Sequence, residues 1–217
     1  MVRRYAFTMI ELIFAIVVIS IAVISLPMMI QTSTKGIENN LVQEAIFASS
    51  AKLNEIISYP WDENSIPNGS TFSEVIWTNA NDCNSSTKLR PGHIMEQQHR
   101  RCLDSNFSVI QPTAAAALGM EANDNNVYDD IDDFNGVSTA MFIDNSGAGV
   151  ITSAQGYKNN YTMDVNVSYA AFGTITAANK NMKKIIITIK NSDNNVTTKL
   201  TTYSANIGEA DYLKRSF

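Results

Sequence analysis

The apolar and polar residues divide this chain into two parts. From Leu12 to Ile30 the chain is apolar, with two serines as its polar interruptions. About 20 helical residues at 1.5 Å each are enough to cross the ~30 Å hydrocarbon layer of a bilayer. Arg3 and Arg4 precede this run and no similar cluster follows it closely. The positive-inside rule therefore predicts a single span with a cytoplasmic N-terminus. No Ala-x-Ala-like site closes the run, so an anchor is favoured over a cleaved secretory signal.

The apolar span is predicted to continue as an amphipathic helix. Apolar residues recur at helical spacing as far as residue 57, and Pro60 ends the pattern. We expect ordinary packing against a globular domain to explain this stripe. Pro27 and Gly36 should kink or loosen the helix, since proline removes a backbone hydrogen bond. The residues of the stripe are Ile37, Leu41, Val42, Ala45, Ile46, Leu53, Ile56 and Ile57.

Beyond Pro60 the pattern changes to the alternation typical of β-strands. A short helix is predicted around 113–120, and the rest of 79–136 reads as mostly irregular. The turn sequence "NSDNN" predicts that the last two strands form a hairpin. The fold class is thus α+β, a long N-terminal helix packed on an antiparallel sheet. The predicted strands are 71–78, 138–143, 161–172, 183–190 and 195–206.

Composition and missing motifs argue against several classes of function. The chain has 217 residues, a formal net charge of −5, 17% charged residues and 45% hydrophobic residues. It fits one ordinary domain beyond the span, and it shows no basic patch with interleaved aromatic residues, so we expect no nucleic-acid binding. A glycine-rich phosphate loop, a G-x-S-x-G motif and a recognisable Cys–His pairing are all missing from the sequence. We therefore predict that this protein is not an enzyme.

Glu11 is the one ionisable residue between Phe7 and Ile30. A carboxylate near the middle of a membrane helix costs about 2.5–3.5 kcal/mol on insertion scales and points to a function by default. A plain anchor explains the apolar run but leaves Glu11 without a role.

The stretch "YAFTMIEL", from Tyr5 to Leu12, accounts for Glu11. It resembles the class III signal of type IV prepilins and pseudopilins: a short basic leader, a small residue, then Phe, Thr and a Glu running into an apolar helix. The small residue is Ala6 where the family usually has Gly. The resemblance implies that prepilin peptidase removes leader 1–6 by cutting between Ala6 and Phe7, and that Phe7 is then N-methylated. Glu11 would become the fifth residue and pair with the Phe7 amine of a neighbouring subunit.

This resemblance also implies an organisation and a set of partners. The parts are leader 1–6, a transmembrane and assembly helix over 7–30, its amphipathic continuation over 31–58, and an extracytoplasmic domain over 59–217. Expected partners are other pilin or pseudopilin subunits, prepilin peptidase and the inner-membrane assembly platform. The chain would cross the bacterial inner membrane once and then enter a fibre. A subunit of a type IV pilus, a type II secretion or DNA-uptake pseudopilin, and an anchored periplasmic binding protein remain open.

Cys83 and Cys102 bracket the chain's two histidines, His93 and His99. Two cysteines this close in an exported domain predict a disulfide. Zinc would accept the Cys2His2 set, but the spacing matches no standard finger.

The acidic run "YDDIDDFNG" contains Asp129, Asp130, Asp132 and Asp133. Carboxylate oxygens are the ligands that calcium prefers, so these residues are calcium candidates, although the EF-hand order is not met. A solvated turn is the alternative, and no other cofactor is expected. The run also resembles a segment of minor prepilins of the mannose-sensitive haemagglutinin (MshD) type, which implies a minor subunit.

Several stretches, such as "DVNVS" and "DNNVT", match the D-x-N-x-[ST] acceptor pattern of some bacterial N-glycosylation systems. In so Asn-rich a chain, we expect such matches by coincidence.

Overall fold

A computed structural model of the chain describes residues 8–66, 72–78, 82–84, 86–91, 98–103, 112–122, 127–141, 143–144, 152–153, 161–170 and 180–212. The chain divides into two compact units, Met1–Glu44 and Ala45–Phe217. The α+β class is confirmed, since one long helix precedes an antiparallel sheet.

Helix α1 spans Met9–Ile57 and runs without interruption through Pro27 and Gly36. It ends three residues before Pro60, as the pattern predicts. In the second unit the helix buries Ala45, Ser49 and Ile56. These positions recur at three- to four-residue multiples and so lie on one face.

The prediction of a fully packed apolar stripe is wrong in part. Ile46 and Ile57 each lie next to a buried residue of α1 and are 42% and 44% exposed. One residue turns the helix by about 100°, which carries both side chains off the buried face. Phe47 is 73% exposed on the same stretch. This part of the helix therefore buries a narrower face than its apolar pattern suggests.

Among the described residues, the main sheet contains four antiparallel strands, in the spatial order β2 (Ser138–Ala140), β5 (Thr162–Tyr169), β6 (Met182–Lys190) and β7 (Val196–Ala205). Strand β5 pairs with β6 over eight residues, and β6 pairs with β7 through the predicted hairpin turn. Asn191 shapes this turn because its side-chain oxygen accepts the backbone N–H groups of Asp193 and Asn195 at 3.0 and 2.9 Å.

Two further strand pairs are short. Strand β1 (Gln98–Arg100) pairs with β8 (Ala210–Tyr212), and β3 (Ile143–Asp144) pairs with β4 (Thr152–Ser153), both antiparallel. The predicted strand 138–143 is thus divided between β2 and β3.

The core lies between the buried face of α1 and one face of the main sheet. Strands β5 and β6 contribute alternate residues to it, as a half-buried sheet requires. Phe134, from a 3-10 turn at Asp132–Phe134, stacks on Tyr128 with ring centroids 4.5 Å apart. The buried residues of the core are Ala45, Ile56, Trp61, Ile76, Ile131, Phe134, Met163, Val165, Val167, Ile185, Ile187 and Ile189.

Two predicted elements are wrong. Residues 72–78 form no strand, only one parallel bridge between Val75 and Cys102. The side chain of Asn206 occupies the place of a neighbouring strand: it accepts the N–H of Ile76 at 2.9 Å and donates to its carbonyl at 2.7 Å. Residues 113–120 form turns instead of a helix. Gly119 there has φ +131°, and a helix this short seldom repays its nucleation cost.

Candidate functional site

The N-terminal residues singled out from the sequence lie partly outside the described residues, since Ala6 and Phe7 do. Glu11 lies in the first turn of α1, and its backbone N–H donates to the carbonyl of Thr8 at 3.1 Å. Its side chain is exposed, as are the apolar side chains from Met9 to Ile30.

Among the described residues, α1 is the one helix long and apolar enough to cross a membrane. The serines inside the apolar run have local partners: the Ser20 hydroxyl donates to the Ile16 carbonyl at 2.7 Å, and that of Ser25 to the Ala22 carbonyl at 3.1 Å. Such bonds satisfy hydroxyl groups where water is absent. The first unit is therefore compatible with single-pass anchoring.

In the second unit, Lys183 is the centre of a buried charge cluster. It is fully buried, on the same face of β6 as Ile185 and Ile187. Its ammonium donates to the Trp61 carbonyl at 2.5 Å and lies 4.5 Å from the centre of the Trp61 ring.

Three buried carboxylates surround this ammonium. Lys183 donates to Asp132 Oδ1, and its Nζ is 3.4 Å from Asp62 Oδ2 and 3.8 Å from Asp130 Oδ2. Lys183, Asp62, Asp130 and Asp132 are called the lysine cluster below. The cluster joins the segment after α1, the acidic run and strand β6.

Backbone N–H groups bind most of the carboxylate oxygens that Lys183 leaves free. Asp62 accepts from the backbone of Asn64 at 3.1 Å and of Thr113 at 2.9 Å. Asp130 accepts from the backbone of Glu63 at 3.0 Å and of Asp132 at 2.7 Å. Asp132 Oδ2 is buried and has no hydrogen-bond partner among the described residues. The polar atoms of the lysine cluster are therefore hydrogen-bonded, except for Asp132 Oδ2.

Three buried aspartates face a single ammonium, so the lysine cluster holds more negative than positive charge. Burial is the main cause that raises the pKa of Asp130 to about 9, and Asp132 adds to it, while Lys183 opposes it. Burial also raises the pKa of Glu63, and the charge of Asp62 adds to that effect. The pKa of Tyr169, whose hydroxyl donates to the Thr113 carbonyl at 2.6 Å, is raised by burial and then by Asp62.

The four calcium candidates of the acidic run do not converge on one point. Asp130 and Asp132 face Lys183. Asp133 accepts the backbone N–H groups of Asp129 and Asp130 at 2.7 and 3.2 Å, and Asp129 is exposed.

Within the described residues, oxygens of Asp62, Glu63 and Asp130 lie within 4.8 Å of one another. Lys183 already supplies a positive charge there, and backbone N–H groups bind the two aspartates. The residues therefore fit an internal ion cluster better than a calcium cage, and calcium binding by the acidic run stays a prediction.

The predicted disulfide between Cys83 and Cys102 is present, with their Cα atoms 6.3 Å apart. Both cysteines pack with Val75 and Trp77 in a second, smaller core. His93 lies outside the described residues, and only the backbone of His99 is described. The disulfide therefore links the segment before β1 to the segment after it.

Sequence reasoning found Asp130 and Asp132 but missed Lys183 and Asp62. Alternation in "MKKIIITIK" carries the signal for Lys183, because residues 183, 185, 187 and 189 share one face of a strand. Three isoleucines in that row indicate a buried face, so a lysine there needs a buried acidic partner. No such pattern marks Asp62, which follows the helix in an irregular segment.

No protein-family model, no curated protein and no solved structure matches this chain.

Proposed function

We propose that this protein is a subunit of a type IV pilus or a related fibre, processed by prepilin peptidase and assembled through its N-terminal helix. The observation that carries the proposal is Glu11, the only charged residue in the apolar part of α1 between Met9 and Ile30. It stands at the fifth position after the Ala6–Phe7 junction, where the pilin signal has its Glu. The resemblance of the acidic run to minor prepilins favours a minor subunit.

A carboxylate in an apolar surrounding requires a cationic partner. Cleavage after Ala6 would create one, since the new amine of Phe7 carries a positive charge. One subunit's Glu11 can pair with the amine of the next, which fixes the register between helices. The exposed Ile46, Phe47 and Ile57 of α1 give further apolar surface for contact with neighbouring subunits.

The N-terminal peptide tests the processing. We would determine it by mass spectrometry on protein from native membranes and, separately, from material sheared off the cell surface. The expected chain begins with N-methylated Phe7 and occurs in the sheared fraction. Processed protein confined to the membrane would favour a pseudopilin or an assembly primer. A chain that keeps residues 1–6 in cells with active prepilin peptidase would contradict the proposal.

Glu11→Ala tests the assembly step. We expect the variant to enter the membrane normally, because removing a charge makes insertion easier, and to be lost from the sheared fraction by at least about tenfold, which corresponds to about 1.4 kcal/mol of subunit binding. Glu38→Ala, an exposed glutamate farther along the same helix, is the matched control and should assemble as the wild type does. Normal incorporation of Glu11→Ala would disprove the role given to Glu11.

A further inference from the structure

The glycosylation-like stretches are more frequent than coincidence allows. Six asparagines in the chain are followed two residues later by Ser or Thr, and four of the six have Asp two residues before them. Only 12 of the 217 residues are Asp, so fewer than one such coincidence is expected among six. The expectation of coincidence is therefore not supported. The four asparagines are Asn84, Asn106, Asn166 and Asn195.

The structure separates these asparagines by their surroundings. Asn106 lies outside the described residues. Asn84 uses its side-chain oxygen to bind the backbone of Ser86 at 2.9 Å and of Thr87 at 3.1 Å, which holds a turn. Asn166 lies in β5 between two hydrogen-bonded strands, and its amide contacts Asn135 at 3.4 Å. Each of these two side chains has a structural role.

Asn84 and Asn166 are exposed as well, and Asn195 differs from them because no other described residue hydrogen-bonds to its side chain. Asn195 is the last residue of the β6–β7 turn. It is exposed together with its neighbours Asp193 and Asn194. Its backbone closes the turn with Asn191, accepting at 3.0 Å from the Asn191 N–H, whereas its side chain makes no hydrogen bond to another described residue. Val196, the next residue, is 57% exposed.

The residues after Asn195 are accessible too. Thr197 is half-buried in β7, the last strand of the main sheet, and its hydroxyl makes no hydrogen bond to another described residue. An acceptor segment must present the asparagine amide and the hydroxyl of the second residue after it to an enzyme, which favours surface turns. The stretch 193–197 meets this condition without unfolding of the core.

We propose that Asn195 is an N-glycan acceptor for an oligosaccharyltransferase that reads Asp193 and Thr197. The donor class is an oligosaccharide on a polyprenyl diphosphate. Asn195 Nδ2 forms a bond to C1 of the first sugar, the bond from C1 to the diphosphate oxygen breaks, and the amide nitrogen loses one proton to solvent. Polyprenyl diphosphate leaves. This inference rests on the proposed function insofar as it requires the second unit to be exported.

Tryptic digestion isolates the site. Cleavage after Lys190 and Lys199 releases peptide 191–199, which contains Asn195, and Asn166 falls in the separate peptide 159–180. In full-length protein from its own cells, we expect peptide 191–199 to carry one glycan. Asn195→Gln should abolish the modification and Asp193→Ala should reduce it at least about tenfold, whereas the matched control Asn166→Gln should leave it unchanged.

Two results would overturn the assignment. One is a chain with an oxidised Cys83–Cys102 pair, and hence exported, whose peptide 191–199 is unmodified in every preparation. The other is a glycan on Asn195 that persists in Asp193→Ala, since the acidic residue would then not be read. A chain that stays reduced in the cytoplasm would contradict the proposed function as well, so the two failures can be distinguished.

Discussion

Lys183 shows how one side chain can connect distant parts of a chain. It is separated from Asp62 by 121 residues and from Asp132 by 51, yet it binds both in the core of the second unit. An ammonium in this position is stable only because carboxylates and a backbone carbonyl replace its water shell. The lysine cluster therefore depends on all its members at once.

Lys183→Met should strongly destabilise the second unit. The substitution leaves buried carboxylates without their cation, and breaking a buried ion pair from one side costs about 3–5 kcal/mol. The measurement is urea unfolding of the full chain in detergent, followed by tryptophan fluorescence, because both tryptophans lie in this unit. Lys184→Met, on the opposite face of β6, is the matched control and should change stability by less than about 1 kcal/mol. Equal stability of the two variants would disprove a stabilising role for the cluster.

The raised pKa of Asp130 predicts that the folded chain loses stability as pH rises. In the unfolded chain this carboxyl has its ordinary pKa of 3.8, and in the folded chain about 9. The contribution of Asp130 to stability is thus complete at pH values below its pKa in the unfolded chain. It is lost progressively as the pH rises to its pKa in the folded chain. The slope for one proton is at most about 1.4 kcal/mol per pH unit.

Urea unfolding at several values between about pH 5 and about pH 9 measures this slope, and Asp130→Asn should flatten it. Glu63 contributes in the same direction because its pKa is also raised. The pKa of Asp164 is lowered by hydrogen bonds from Lys190 and Ser138, so its contribution is lost on acidification and does not affect this window. Stability that is constant or rises across the window would contradict the protonated state of Asp130.

Individual residues were predictable from the sequence where a repeating pattern constrains them. The alternation of β6 is sufficient to place Lys183 on the buried face. The role of Glu11, indicated by the resemblance to the class III signal, stays a prediction. The partners Trp61 and Asp62 follow α1 in an irregular segment, where no period relates them to the sheet. Their contact with Lys183 depends on tertiary packing, which local patterns do not record.

At the scale of elements, the strands with clear alternation were predicted well. Strands β5, β6 and β7 begin and end within three residues of their predicted bounds. The strand predicted at 71–78 fails because Asn206 satisfies the backbone of Ile76 with its side chain. A side-chain amide that imitates a strand leaves no trace in the apolar pattern of the segment it binds.

Gly208, in the segment between β7 and β8, is packed against the backbone of residues 73–75. A Cβ atom at Gly208 would lie 2.9 Å from Val75 N and 3.0 Å from Ser73 O, and the φ of +60° is already unfavourable for alanine. Backbone strain of this kind costs about 1–3 kcal/mol. We therefore expect Gly208→Ala to lower the free energy of unfolding by more than this strain alone.

Gly136→Ala is the matched control for this contact. Gly136 also has a positive φ, +80°, but no atom in the described part of the chain lies within 4 Å of an added Cβ. Both variants place alanine at a positive φ, but only Gly208→Ala brings a Cβ atom against the backbone of residues 73–75. The difference between their free energies of unfolding in urea therefore measures the cost of that contact. If Gly208→Ala is no less stable than Gly136→Ala, the segment of Gly208 does not pack closely against residues 73–75.

At the scale of the whole molecule, the sequence was sufficient to predict an α+β chain with one apolar helix at its start. It predicted less well which helix residues are buried, because Ile46 and Ile57 belong to the apolar stripe and are yet exposed. An apolar residue that serves a contact with another chain has the same pattern as one that serves the core. Only a fold shows which of them its own domain leaves uncovered.

The long separations within the lysine cluster also have a consequence for the order of folding. The ribosome releases the chain from its N-terminus, so Asp62 and the acidic run emerge before Lys183 does. Until β6 follows, the carboxylates have no cation and must remain in water, which keeps that part of the chain hydrated and delays collapse of the core. Contacts between such distant residues form late because closing long loops costs entropy. The residues of the apolar helix are thus released well before the core of the second unit can close.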